Sequence, residues 1–197
     1  MKVYDREYFD RWYRSADAVV RPEVVQRKVH LALAAAEYVI GHAVRSVLDV
    51  GCGEGAWRAP LRRLRPGVRY VGVDSSDYAV RRYGRRRGIR EGTLGRLDRL
   101  GLKRRFDLVV CADVLEYVPT PEVRSGLRHL RLLTGGVAYI EAFAVSDDMV
   151  GDREQWHYRS ARAYRELFRE AGLVACGLHC YVPRERLHAV SAMERCE

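Results

Sequence analysis

Hydrophobic positions along the chain recur with two different periods, and the change of period predicts the order of elements. After Asp5, a residue suited to cap a helix, the aromatic residues of "YFDRWY" follow helical spacing. A longer helical pattern covers "RPEVVQRKVHLALAAAEYVIG", with Pro22 in its first turn and Gly41 past its end. Two helices are therefore predicted before the first strand.

Beyond residue 45, short apolar runs alternate with amphipathic runs. The predicted strands are "SVLDV", "VRYVGVD", a short one near "GIREG", "RFDLVVCAD" and "VAYIEAF". The predicted helices are "AWRAPLRRLR", "SSDYAVRRYGRRR", "TPEVRSGLRHLRLLTGG" and "SARAYRELFREAG". Their predicted caps are Ser76 or Asp77, Thr120 and Ser160. The tail "LVACGLHCYVPRERLHAVSA" predicts two strands joined by a turn at Pro183 to Glu185.

Alternating strands and helices predict an α/β fold with a mostly parallel sheet, helices on both faces and a C-terminal β-hairpin. Right-handed crossovers place the loops after strands one, two and four at one edge, where a ligand is expected. The chain has 197 residues, which suits a single domain. We predict a helical cap (1–43), a core (44–145), a possible lid (146–160), and a last helix with the hairpin (161–197).

Composition excludes several classes of protein. Hydrophobic residues make up 48% of the chain, which argues against disorder. No apolar run approaches the roughly 20 residues of a membrane helix, and the start lacks an apolar signal region, so a cytoplasmic protein is expected. Cys176 and Cys180 lie in an alternating strand pattern without a second cysteine pair, so no metal site is predicted.

The formal net charge is +9, carried mostly by arginine. The densest run, "RRYGRRRGIR", has the composition of a segment that binds phosphate backbones. The interpretation we favour is a solvated outer face of a helix, so nucleic acid remains an unfavoured partner.

A glycine-rich loop, "GCGEGA", follows the first strand and matches the loose dinucleotide pattern G-x-G-x-x-G/A. Asp74 ends the next strand, as in NAD-binding proteins. However, Asp49 lies two residues before the loop, where its carboxylate would oppose a pyrophosphate but would suit a cofactor with an ammonium and a sulfonium. NAD is also disfavoured because the chain ends in a predicted hairpin rather than in a second mononucleotide-binding half.

The segments "VLDVGCGEG", "YVGVD" and "FDLVVCADVLEYVP" closely resemble those of class I S-adenosylmethionine-dependent methyltransferases. The resemblance implies a Rossmann-like seven-stranded sheet of order 3-2-1-4-5-7-6. It further implies that the glycine loop approaches the methionine part of S-adenosylmethionine, that Asp49 orients its ammonium, and that Asp74 accepts hydrogen bonds from both ribose hydroxyls. The implied cofactor-binding residues are Asp49, Gly51, Cys52, Gly53, Gly55, Asp74, Ser75, Thr93, Leu94, Cys111 and Asp113.

A specific role is expected for two of these residues, Cys52 and Thr93. Cys52 is expected to be a small apolar filler rather than a nucleophile. Thr93 stands where the family often has an acid that binds the adenine amino group, so Thr93 or a main-chain carbonyl is expected to take that contact.

Methyl transfer from a sulfonium depends chiefly on alignment, and a base is needed only if the acceptor must lose a proton. His157, beside Trp156 and Tyr158 in the polar insert, is a candidate base or a surface histidine. Glu116 is a candidate base or a first-turn helix acid, and Tyr117 is a third catalytic candidate. The aromatic residues of the first helix either cap an acceptor pocket or pack in the core.

Three functions stay open at this stage. The one we favour is methyl transfer to a small-molecule acceptor by a monomer or homodimer without a metal, because the chain is close to the bare fold. An RNA methyltransferase is supported only by the arginines. A non-catalytic cofactor-binding protein is the third possibility. The acceptor atom is not predicted.

Overall fold

The computed structural model describes residues 2–15, 18–149 and 151–195, which excludes Cys196. Its strands are β1 (Ser46–Val50), β2 (Arg69–Asp74), β3 (Ile89–Glu91), β4 (Phe106–Ala112), β5 (Thr134–Glu141), β6 (Leu173–Ala175) and β7 (Cys180–Pro183). Its α-helices are α1 (Arg6–Arg14), α2 (Pro22–Ile40), α3 (Arg58–Leu64), α4 (Asp77–Arg87), α5 (Thr120–Leu133) and α6 (Ala161–Ala171).

The seven strands form one sheet in the order β3-β2-β1-β4-β5-β7-β6. The first five strands pair in parallel, while β7 runs antiparallel to both β5 and β6. The predicted strand order, the mostly parallel sheet and the C-terminal hairpin are therefore confirmed. The reversal of order lies between β1 and β4, the position at which open α/β sheets bind ligands.

Two apolar cores lie on opposite faces of this sheet. One is built from α5 and α6 packed on the sheet and includes Leu127 and Phe168. The other is built from α2 and α3 and includes Val29 and Leu61. Neighbouring strand residues divide between the two, as Leu48 and Val47 do, because successive side chains point to opposite faces. Burial on both faces explains why β1 is apolar apart from Ser46 and Asp49.

Three predicted helix starts are confirmed by cap geometry. Side-chain oxygens of Asp5, Ser76 and Ser160 accept hydrogen bonds from backbone N–H groups three residues later, at 3.0, 3.0 and 3.2 Å. The prediction for Thr120 was wrong. Thr120 lies inside α5, and Pro119 precedes the helix. The Thr120 hydroxyl instead accepts a hydrogen bond from Arg159 Nε at 3.0 Å.

The glycines predicted to end α5 belong to β5. Gly135 and Gly136 lie within Thr134–Glu141, opposite a register irregularity between Phe106 and Leu108 of β4. A Cβ atom on Gly136 would overlap the backbone carbonyl of Asp107. These glycines therefore allow close approach of two strands rather than a helix end.

The predicted position of the hairpin turn was also wrong. Pro183 ends β7, and Arg184–Ala189 forms a 3-10 helix. The turn is at residues 176–179, where Gly177, Leu178 and His179 have φ of 86°, 49° and 64°. The Cys176 N–H donates to the Cys180 carbonyl at 2.8 Å across this turn. Within the described part of the chain, no group of three or more metal-ligating side chains is brought together.

None of the helices in the described ranges combines the length and the apolar character needed to cross a membrane.

Candidate active site

A cavity of about 460 Å³ opens at the carboxyl ends of β1, β2 and β4. Its size lies in the range of small-molecule pockets. Many of the predicted cofactor-binding residues line it: Asp49, Gly51, Cys52, Gly53, Asp74, Ser75, Thr93, Leu94 and Asp113. The structure thus brings together residues from four separate loops, although their roles stay predictions.

Asp49 is an acid buried in the wall of this cavity. Its residue is only 2% exposed, and its Oδ2 accepts a hydrogen bond from the Tyr70 hydroxyl at 2.6 Å. Burial raises the pKa of Asp49 to about 7, against the lowering effect of the Tyr70 hydrogen bond, and the nearby Asp74 raises it further. A cationic ligand beside Asp49 would favour its ionised form.

Asp74 ties the glycine loop to the start of α4. One carboxylate oxygen accepts the Gly53 N–H at 2.6 Å, and the other accepts the Ser76 N–H at 2.8 Å. Burial raises the pKa of Asp74, although hydrogen bonds from the backbone of Ser76, Gly53 and Ser75 act in the opposite direction. Each carboxylate oxygen can accept a second hydrogen bond, so both retain capacity for a ligand hydroxyl.

The glycine loop is packed against side chains that sequence reasoning did not foresee. Gly51 has φ of 71°, and a Cβ there would overlap the Val114 side chain. Gly53 has φ of 52°, and a Cβ there would overlap the Tyr13 hydroxyl. The absence of a side chain at these glycines therefore lets α1 and the loop after β4 close onto the backbone.

Helix α1 is held over the loop by polar contacts as well. Arg14, at the end of α1, forms an ion pair with Glu54 of the glycine loop. Arg87, at the end of α4, donates to the carbonyl of the same Glu54 at 2.5 Å. The interpretation of the arginine run as a purely solvated face is therefore wrong for Arg87, because α4 ends beside the loop. Arg85 and Arg86 are exposed, as that interpretation required.

Asp113 provides an acid on the opposite wall. It has a left-handed backbone with φ of 57°, and its N–H donates to the Glu141 carbonyl at 3.2 Å. The residue lines the cavity and is exposed to solvent there. The protein atoms around it raise the pKa of its carboxyl to about 6 by desolvation. Lys28 lowers that pKa and Glu141 raises it; these two residues form an ion pair with each other.

The three catalytic candidates lie in different places. Tyr117 lines the cavity, and its hydroxyl donates to the Asp152 carbonyl at 2.7 Å. Glu116 is 1% exposed and absent from the cavity wall; its Oε1 accepts the Phe143 N–H, and burial raises its pKa to about 7. His157 is exposed, contributes its backbone N–H to the Glu116 carbonyl at 2.7 Å, and also lies outside the cavity wall.

Two predicted cofactor residues also lie outside the cavity wall. Cys111 is fully buried in the apolar core beside α5 and α6, where burial raises the pKa of its thiol. Gly55 lies at the far end of the loop, facing Ile89 and Tyr70. The alternation of side chains along β4 explains why Cys111 does not line the cavity: its side chain points into the core, and only the segment beyond Ala112 reaches the cavity.

The polar insert contributes only its first half to the cavity. Met149, Gly151 and Asp152 line the wall. Arg159, near the insert's end, is 7% exposed and donates to the carbonyls of Leu115 and Val118. The insert is thereby fixed to the loop that carries Tyr117.

Sequence reasoning missed several residues of the site. Tyr4 and Phe143 line the cavity, and so does Lys28, whereas Lys2 lies just behind the wall. One feature of the sequence could have drawn attention to Lys2 and Lys28. Lysine is rare in this arginine-rich chain, with Lys103 as its third instance, and two of the three lysines lie at this site.

Fold and site together define a methyltransferase of the Rossmann-like type. Residues 20–187 match the family model described as a methyltransferase domain, and the chain belongs to that family. The predicted family is therefore confirmed. No curated protein matches the sequence as a relative.

Solved structures share the fold at low sequence identity. Magnesium protoporphyrin IX methyltransferase from Synechocystis, solved with bound SAH, is 21% identical, with a TM-score of 0.61 and 87% of each chain covered. DesVI of Streptomyces venezuelae is 15% identical, with a TM-score of 0.63, 90% of this chain and 96% of that chain covered. A sugar N-methyltransferase from a Streptoalloteichus species is 19% identical, with a TM-score of 0.61 and coverage of 93% and 90%.

Proposed function

We propose that the protein binds S-adenosylmethionine in this cavity and transfers its methyl group to a small-molecule acceptor. The observation that carries the proposal is the single cavity shared by Asp49, Asp74 and Asp113 at the carboxyl ends of β1, β2 and β4. Membership of the methyltransferase-domain family supports it, and so do solved relatives in fold that bind SAH or methylate an amino sugar.

The residues present fit this cofactor. The buried carboxyl of Asp49 suits an ammonium, and the free acceptor capacity of Asp74 suits a pair of ribose hydroxyls. Thr93 and Leu94 extend the wall beyond Asp74, where an adenine ring would lie. When bound, the cofactor supplies an activated methyl group on a sulfonium.

The chain's own part in the reaction is to position the acceptor and to exclude water. Aromatic residues contribute to the cavity wall, among them Tyr8, Phe9, Trp12 and Tyr117. Such a wall removes water and limits the orientations of a bound molecule. Asp113 is our candidate proton acceptor, because a carboxyl with a pKa of about 6 is ionised at neutral pH and lies at the cavity.

His157 and Glu116 rank lower than Asp113 as bases, because neither lies on the cavity wall. The RNA alternative is not favoured either, since the exposed arginines of α4 do not line the cavity.

Calorimetry with S-adenosylhomocysteine and with NAD tests the cofactor. We expect binding of the first and none of the second; the reverse would contradict the proposal. For transfer, a panel of amines, phenols, thiols and carboxylates is incubated with methyl-labelled cofactor. Asp113→Asn should lower turnover by about 10²-fold or more with little change in cofactor affinity, whereas His157→Ala should retain activity.

A further inference from the structure

Lys2 holds its side-chain ammonium inside a cluster of three tyrosines. The distances from Lys2 Nζ to the ring centroids of Tyr4, Tyr8 and Tyr117 are 5.3, 5.3 and 4.0 Å. Asp152 completes the cluster through an ion pair with the same ammonium. We call Tyr4, Tyr8, Tyr117 and Asp152 the ammonium cage.

The ammonium is almost completely removed from solvent, since the Lys2 side chain is 5% exposed and that of Asp152 is 12% exposed. Burial of a lysine costs free energy unless opposite charge and aromatic faces replace its hydration. The cage supplies both. Its members come from four places in the sequence: the segment before α1, α1 itself, the loop after β4 and the loop after β5.

Every member of the cage also lines the central cavity. The cage therefore forms part of the wall that would surround an acceptor, whereas Lys2 itself does not line the cavity. The charged residues of the cavity wall also favour the binding of a cation. Acids outnumber bases on its wall: Asp49, Asp74, Asp113, Glu122 and Asp152 against Arg21 and Lys28.

Lys2 lies in the segment before α1, which is held by hydrogen bonds at two points. Its backbone N–H donates to Gln155 Oε1 at 3.0 Å on one side. Two residues later, the Tyr4 carbonyl accepts a hydrogen bond from the Ser76 hydroxyl at 2.6 Å, next to Asp74. The Lys2 ammonium also donates to the Glu154 carbonyl at 3.4 Å, so a ligand that enters the cage would have to displace these contacts.

We propose that the ammonium cage recognises an alkylammonium group of the acceptor and that Lys2 fills the cage in the ligand-free protein as an internal competitor. The inference rests on the proposed function and narrows its acceptor class to amines. An amine seated in the cage lies within the same cavity as Asp113. The Asp113 carboxylate would take a proton from the ammonium and leave a neutral nitrogen lone pair.

The binding test uses choline as probe and its neutral carbon isostere, in which a tert-butyl group replaces the trimethylammonium. Wild type and Lys2→Gln are titrated with both by calorimetry or ligand-observed NMR. Lys2→Gln should bind choline at least about tenfold more tightly than wild type, because the competing ammonium is gone. Wild type and Lys2→Gln should both bind the isostere more weakly than choline.

Variants in the Lys2→Gln background identify the cage. Tyr117→Leu should weaken choline binding by about tenfold or more, whereas Tyr117→Phe, which keeps the ring, should retain it. Tyr38→Leu is the matched control, since Tyr38 is 76% exposed and far from the cavity. Circular dichroism establishes that each variant is folded.

Binding of S-adenosylhomocysteine is measured on the same samples and separates the two proposals. If that product binds, but Lys2→Gln shows no preference for choline over the isostere, the cage is a structural latch and the inference is overturned. If choline binds as expected while S-adenosylhomocysteine does not, the cage stands and the proposed function fails.

Discussion

Replacement of Asp74 by asparagine tests the acid on which both the loop geometry and the proposed cofactor site depend. In the structure its two oxygens accept N–H groups of Gly53 and Ser76, at 2.6 and 2.8 Å. Asparagine offers one carbonyl oxygen and one NH₂ group. One backbone N–H would therefore face another donor.

The expected loss of stability follows from that lost acceptor. A buried donor without a partner costs about 1–3 kcal/mol. For a domain of this size, each kcal/mol lowers Tm by roughly 2–4 °C. Asp74→Asn should thus lower the Tm of the ligand-free protein by about 3–10 °C, measured by thermal unfolding.

The expected loss of cofactor affinity is a separate quantity. Hydrogen bonds to a charged group are worth about 1.5–3 kcal/mol, equivalent to a 10–150-fold increase in Kd. Calorimetry with S-adenosylhomocysteine below the Tm of the variant measures it. Asp77→Asn is the matched control, because Asp77 is an exposed acid three residues away that makes an ion pair with Arg81.

Two results would refute this reasoning independently. An unchanged Kd in folded Asp74→Asn would remove Asp74 from the cofactor site. An unchanged Tm would show that the hydrogen bonds to Gly53 and Ser76 contribute no net stability.

Three further predictions follow from the same wall of the cavity. Burial raises the pKa of Asp49 from about 4 to about 7, so the stability it contributes is complete below pH 4 and is lost as the pH rises through 7. The stability of Asp49→Asn relative to wild type, measured by denaturant unfolding, should therefore grow between pH 4 and pH 8; a constant difference would contradict the burial argument. Gly51→Ala should lower the free energy of unfolding by about 2–4 kcal/mol through left-handed strain and overlap with Val114, and Val114→Ala should restore part of it; additive effects of the two changes would refute the overlap. Arg87→Gln should raise the Kd for S-adenosylhomocysteine by about 2–10-fold by releasing the Glu54 carbonyl, while Arg86→Gln, exposed on the same helix, should leave it unchanged; equal effects would indicate general electrostatics instead.

Local sequence signals determined most of the secondary structure. Asp5, Ser76 and Ser160 cap helices because a cap requires only a short polar side chain and the next three residues. The positions of Asp49 and Asp74 in β1 and β2 followed from the apolar runs that precede them. Caps and strand positions depend on neighbours in sequence, which is why the sequence was sufficient for them. The strand order, in contrast, was implied by the resemblance of three motifs to a family.

Other elements were misplaced where residues distant in the sequence decide the conformation. Gly136 lies in a strand because the Asp107 carbonyl of β4 approaches it closely. Thr120 lies inside α5, with its hydroxyl bound by Arg159 from the polar insert. In the tail, the left-handed residues around Gly177 make the turn, while Pro183 pairs with Leu173 at the end of β7.

The acceptor side of the cavity was decided by tertiary structure alone. No pattern in the sequence predicts that Lys2 meets Tyr117 and Asp152, since more than 100 residues separate Lys2 from both and only the folded chain brings them together. Likewise, His157 had suitable chemistry, but the hydrogen bond from its backbone to the Glu116 carbonyl fixes it outside the wall. Sequence determines which groups can bind or titrate, whereas the folding of distant loops onto one sheet edge determines which of them share a cavity.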